Sequence, residues 1–144
     1  MAEVLVALTI VSLFFVIALP SIQGWYEKQL LWQAAQQIAV DLRMIQQLAK
    51  SRDRNNMQVQ ELYIASTENI YRIIGTGSRI EKEYRLPKQL TFPGLPGQVG
   101  FYYTGQPITG AAHIDRIQLK TIDGKYRIAV VIQALTGRIR LEWA

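Results

Sequence analysis

Residues 30–54 read LLWQAAQQIAVDLRMIQQLAKSRDR, and their spacing decides the architecture. The apolar residues Leu31, Ala35, Ile38, Leu42, Ile45 and Ala49 recur at intervals of 4, 3, 4, 3 and 4. That is one stripe of an α-helix. Gln29, Gln33, Gln36, Gln37, Asp41, Arg43, Gln47 and Lys50 fall on the other side. The segment therefore predicts an amphipathic helix with its stripe on a core. SRDRNN, residues 51–56, supplies charge and turn formers that end it.

Towards the N-terminus the character changes. Residues 4–22 number 19, and Thr9, Ser12, Pro20 and Ser21 are their only non-apolar members. As a helix they would reach roughly 28 Å, the hydrocarbon thickness of a bilayer. Trp25 and Tyr26 follow, then Glu27 and Lys28, as at a membrane interface. No Lys or Arg precedes the run, which separates it from a secretory signal peptide. Residues 1–24 are thus expected to be the transmembrane half of one helix and residues 25–54 its amphipathic half. Pro20 removes a backbone donor and predicts a kink, with Gly24 adding backbone freedom. Glu3 is the one charge in residues 1–24.

Towards the C-terminus the period shortens. MQVQELYIAS, NIYRIIG, RIEKEYRL, QVGFYYT, DRIQLKT, KYRIAVVIQ and GRIRLEW are short and rich in β-branched and aromatic residues. GTGS, FPGLPG, TGQPITG, IDG and LTG separate them as turns. Asp123-Gly124 between alternating runs signals a hairpin. The expected fold class is α+β: a long N-terminal transmembrane/amphipathic helix packed on a C-terminal antiparallel β-sheet domain, residues 55–144.

The chain has 144 residues, 49% of them hydrophobic, which suits one modest domain beside the apolar segment. The absence of cysteine excludes a disulfide scaffold, a thiol nucleophile and a Cys-ligated zinc site. His113 is the lone histidine and reads as a loop residue. No carboxylate cluster or histidine pair suggests a metal. GTGS lacks the Gly-Lys-Ser/Thr ending of a phosphate loop, and no Ser-His-acid set assembles. Glu81 and Glu83, flanked by Arg79 and Lys82, read as a solvated hairpin. The expectation is a non-enzyme without cofactor or metal.

The net charge is +5, and from Asp115 onward six Lys/Arg face three acids. Arg138 and Arg140 lie two apart on one strand and so share a face, and Lys125 and Arg127 read as a second pair on the preceding strand. These cations read either as solvated strand faces or as a grip on phosphates.

The opening segment resembles the N-terminus of type IV pilins and pseudopilins. That family carries a Glu near the start of its mature chain and a Pro seventeen residues later; here Glu3 and Pro20 match it. The family's leader and first two mature residues have no counterpart in this chain, so Met1 stands at the third mature position. The rest resembles the GspH/FimT-like minor pseudopilins, through QAAQQIAVDLRMIQQLAKSR and the ending VVIQALTGRIRLEW with its Gly-Arg-x-Arg. The competence minor pseudopilins of Gram-positive bacteria, the ComGD type, are similar in both features. The resemblance implies a pilin-like fold and a minor subunit that starts or caps a filament. It implies other pilin or pseudopilin subunits as partners through the N-terminal helix. Before assembly it implies a single-pass protein of the bacterial inner membrane, with an extracytoplasmic β-domain that reaches the cell-surface filament afterwards. It gives Glu3 an ion pair with a neighbour's terminal amine. An unpaired mid-bilayer carboxylate costs about 2.5–3.5 kcal/mol on insertion scales, so such a partner has a physical rationale. In this branch the Gly-Arg-x-Arg end is linked to DNA, matching Gly137, Arg138 and Arg140. The resemblance therefore implies competence and DNA uptake, or alternatively protein export by a type II secretion system.

Overall fold

The computed structural model describes residues 2–51, 60–110 and 113–144, without the side chains of residues 15–21 and of Thr76. One helix, α1, runs Ala2–Lys50, and its 49 residues make it about 74 Å long. Among the described residues eight strands follow: β1 (Glu61–Ala65), β2 (Ile70–Ile74), β3 (Ile80–Arg85), β4 (Leu90–Thr91), β5 (Gly97–Gly100), β6 (Arg116–Thr121), β7 (Arg127–Ile132) and β8 (Ile139–Trp143). Six of the seven expected strand segments contain one of these, and QVGFYYT overlaps β5, which begins one residue earlier at Gly97. The eighth, β4, is only two residues long and gives no alternation to read. The strands divide between two antiparallel sheets, ordered β3-β2-β1-β5 and β4-β6-β7-β8. The chain thus visits the second sheet at β4 and returns to the first at β5. Asn69 joins them: its side-chain oxygen accepts from the Thr91 hydroxyl at 2.8 Å, beside β4.

The amphipathic half of α1 lies against β6, β7 and β8 and also touches β1 and β5. Leu31, Ala35, Ile38, Leu42 and Ile45 are buried, as the stripe predicts, and Ala34 and Ala39 flank them. Small residues there let the sheets approach the helix closely. Leu62, Tyr71, Ile73 and Val99 of the first sheet meet Ile117, Leu119, Ile128, Val130 and Ile132 of the second in the same core. The C-terminal strand is pinned by Trp143, whose ring stacks on Trp32 at 5.9 Å and 9°.

Asp41 departs from the polar face assigned to it. It is 3% exposed, and its carboxylate accepts from the Tyr71 hydroxyl at 2.6 Å, the Lys82 ammonium at 2.7 Å and the Gln37 amide at 3.3 Å. Asp41 follows Ile38 by three residues and precedes Ile45 by four, so it borders the buried stripe. A buried carboxylate persists only when its oxygens are satisfied, and β2 and β3 supply the donors. Lys82 therefore turns inward from a segment read as a solvated hairpin, while Glu83 pairs with Arg72 at 2.8 Å and Glu81 accepts from Gln60 at 2.6 Å.

From Val4 to Phe14, α1 has no such cover. Leu5, Val6, Leu8, Ile10, Leu13 and Phe14 are exposed, Phe14 by 69%. Thr9 and Ser12 return their hydroxyls to the Leu5 and Thr9 carbonyls, at 2.6 and 2.8 Å. Such bonding within the helix leaves no hydroxyl donor seeking water. Among the described residues no helix is long and apolar enough to cross a membrane. The span expected over residues 4–22 includes 15–21, whose side chains lie outside the described residues, as does that of Pro20, where the kink is expected. The assigned helix continues through Pro20.

The Tyr71 hydroxyl is held well above the ordinary tyrosine range, first by burial and then by the Asp41 carboxylate that accepts its proton. A folded-state value above the unfolded one means that this contribution to stability is fully present below about pH 10 and is lost as pH rises further. Tyr71→Phe should lower stability by about 1–3 kcal/mol at neutral pH. It should also flatten the alkaline decline, read as urea midpoints at neutral and alkaline pH. Asp41→Ala should cost about 3 kcal/mol, because it strands a buried tyrosine hydroxyl.

Candidate functional site: a basic sheet face and an adjoining cleft

Cross-strand register collects the cations. Arg116 of β6 and Arg140 of β8 both stand opposite Val131, and Lys120 stands opposite Arg127. Directly opposed residues share a face of an antiparallel sheet, and so do residues two apart along a strand. Arg138 immediately precedes β8, two residues before Arg140, and its carbonyl accepts from Gln133 at 2.9 Å. Arg116, Lys120, Arg127, Arg138 and Arg140 therefore belong to one face, with Ile117, Leu119, Ile128 and Val130 on the core face behind them. Glu142 is the acid among them. It lies 3.2 Å from Arg116 and 3.6 Å from Arg140, leaving a surplus of cations.

Lys125 does not join this face. It stands in the turn before β7, its ammonium 5.3 Å from the Tyr126 ring centroid. Lys28 of α1 approaches the same ring at 4.8 Å. Two cations thus bracket Tyr126, each gaining from the ring's negative face. Gly24 allows this seat, since a Cβ there would come within 3.0 Å of the Tyr126 hydroxyl. The turn is the one Asp123-Gly124 predicts. Gly124 has φ +73°, and Asp123 accepts from the Thr121 hydroxyl and from the Lys125 N–H at 3.0 Å. Those bonds, the hydroxyl's first, hold the Asp123 carboxyl below its usual range.

Beside β8 an open cleft of about 490 Å³ runs between strand and helix. Arg43, Gln46, Gln47 and Lys50 line one wall, and Arg138, Ile139 and Arg140 the other. At its end the Gln46 amide donates to the carbonyls of Gly105, at 2.7 Å, and Gly137, at 3.0 Å. Both glycines have positive φ, +83° and +66°. A Cβ at Gly137 would collide with the Gly105 carbonyl oxygen, and one at Gly105 with the Lys50 side chain. Gly137 thus shapes the turn that presents Arg138.

Arg127, Arg138 and Arg140 were legible as exposed strand cations. Arg116 and Lys120 show the same alternation in DRIQLKT, but only the register places them beside the others. Arg43 and Lys50 come from a distant part of the chain, and no local signal joins them to β8. His113, read as a loop residue, forms a bridge with Gln98, and its Nε2 lies 3.6 Å from the Glu61 carboxylate.

No family model matches the sequence, and no curated protein matches it. Among solved structures the chain has the fold of a pseudopilin. It is similar to the minor pseudopilin EpsH from the Type 2 Secretion System of Vibrio cholerae, with a TM-score of 0.59 and 14% sequence identity over 78% of this chain and 96% of that chain. The likeness establishes the fold: a helix seated against antiparallel sheets.

Gly137→Ala should loosen the Gln46 junction. Left-handed backbone costs a non-glycine residue about 1–2 kcal/mol, before the collision is counted. Urea unfolding should show at least that loss, whereas Gly124→Ala, with nothing within 4 Å of its Cβ, should show the backbone cost alone.

Proposed function

We propose that this chain is a minor pilin-like subunit of a bacterial envelope filament, anchored in the inner membrane by the apolar half of α1 until it assembles. The observation that carries this reading is the uncovered helix surface from Val4 to Phe14. An apolar area of that extent marks a lipid or protein contact. The same surface suits both states: lipid surrounds it first, and neighbouring subunits' helices replace the lipid afterwards. Glu3 is exposed in the first helical turn. There it favours the positive end of the helix dipole and remains available for a neighbour's terminal amine. The likeness to EpsH supports an export filament of the type II secretion kind as the system, with a GspH-like position for this subunit.

One observation favours a second reading, a competence filament that takes up DNA. The outer face of β6, β7 and β8 carries Arg116, Lys120, Arg127, Arg138 and Arg140 against Glu142. Such a face would hold phosphates without reading sequence, weakly and with strong salt dependence.

Glu3→Ala should still enter the membrane but fail to join filaments, scored by fractionation and by crosslinking to other subunits. Normal incorporation of that variant would end the assembly role. For the second reading, the full chain in detergent should bind duplex DNA at low salt. Arg138→Ala with Arg140→Ala should weaken that binding and lessen its salt slope by about 2. Undiminished binding would sink the DNA reading and leave the filament reading standing.

A further inference from the structure

The strand β8 ends its sheet, and its outer edge forms one side of the basic cleft. The Gln133 N–H donates to the Arg138 carbonyl at 2.9 Å, and the Ala144 N–H to the Arg127 carbonyl at 3.1 Å. The register between them is continuous, Ile132 opposite Ile139 through Ile128 opposite Trp143. In an antiparallel ladder, main-chain groups alternate between the two sides of the strand. The even-numbered residues of β8 therefore bond to β7. Ile139, Leu141 and Trp143 direct their N–H and C=O groups to the other edge, which no described strand pairs. An unpaired edge is a template for another strand.

From this geometry we propose that the cleft between β8 and the last two turns of α1 receives an extended acidic polypeptide segment of a partner protein, which adds to the sheet as a strand beyond β8. Two features select that occupant. The free edge offers donors and acceptors in alternation. Another polypeptide backbone satisfies both kinds, whereas a phosphodiester backbone brings acceptors only. The walls then set the side chains. Arg43 and Lys50 flank the incoming strand from the helix, and Arg138 and Arg140 from the sheet, with Gln46 and Gln47 between them. Among the described residues no acid lines the cleft, and the nearest described counter-charge is Glu142, 3.6 Å from Arg140. A segment alternating Glu with small apolar residues fits this setting, its main chain giving affinity and its carboxylates orientation. The Gln46 bonds to Gly105 and Gly137 hold the helix wall in place at the cleft's end, so the groove is formed before any partner arrives.

The test uses the full chain in detergent and a fluorescent, acetylated and amidated peptide alternating Glu and Val. The peptide should bind and should slow amide hydrogen exchange at Ile139, Leu141 and Trp143. Arg43→Ser with Lys50→Ser should weaken binding about tenfold or more, while the thermal midpoint stays near that of the parent. Methylating alternate peptide nitrogens on the side facing β8 should abolish binding. Equal binding of the methylated peptide would overturn strand addition, because charge alone would then account for the contact. Preference for oligothymidylate over the peptide at this cleft, lost with Arg43 and Lys50, would overturn the polypeptide assignment. Neither result bears on filament assembly through Glu3, which the Glu3→Ala experiment reads separately.

Discussion

Burial of one stripe of α1, from Leu31 to Ile45, ties two separate sheets into one body. Neither sheet could close a core by itself, since each needs an apolar partner for its inner face. The helix supplies it to both. Asp41 then fixes the helix against β2 and β3 through Tyr71 and Lys82, a polar contact inside an apolar seam. Hydrophobic burial is non-directional, so the stripe alone would tolerate sliding. A carboxylate with three defined donors does not.

That seam also divides the helix into two environments. From Leu31 to Ile45 the sheets cover its apolar stripe; from Val4 to Phe14 the helix stands uncovered. The bracketed Tyr126 marks the division, where Gly24 lets a ring reach the helix backbone. Everything proposed for the N-terminal half follows from the lack of intramolecular cover between Val4 and Phe14. An apolar surface of this length needs an apolar neighbour, and under the proposed function lipid and other helices would fill that place in turn.

The basic residues are distributed by the same architecture. Sheet register sets Arg116, Lys120, Arg127, Arg138 and Arg140 on the face turned away from the helix. The passage of α1 alongside β8 brings Arg43 and Lys50 to the sheet's edge. The outer face is broad and suits a polyanion. The cleft is narrow, has a backbone edge as one side, and suits a strand. The two surfaces share Arg138 and Arg140, so occupation of one bears on the charge available to the other.

The helix was legible in the sequence because burial of one face imposes a 3.6-residue period that composition cannot hide. The strands were legible for the same reason at a period of two, and Asp123-Gly124 because only certain residues adopt that turn. Glu3 and Pro20 stood out because charge and proline are rare inside an apolar run. Periodicity reports direction around an axis but not depth, so Asp41, at the edge of the stripe, looked solvated until β2 and β3 were found packed over it. A two-residue strand has no period, which hid β4 and with it the division into two sheets. Contacts between residues distant in the chain, such as Arg43 with Arg140 along one cleft or Gln46 with Gly137, leave no local mark. Local sequence determined which elements form and which faces are apolar. Tertiary structure alone decided which charges meet, because that depends on register and packing between segments that the chain brings together only when it folds.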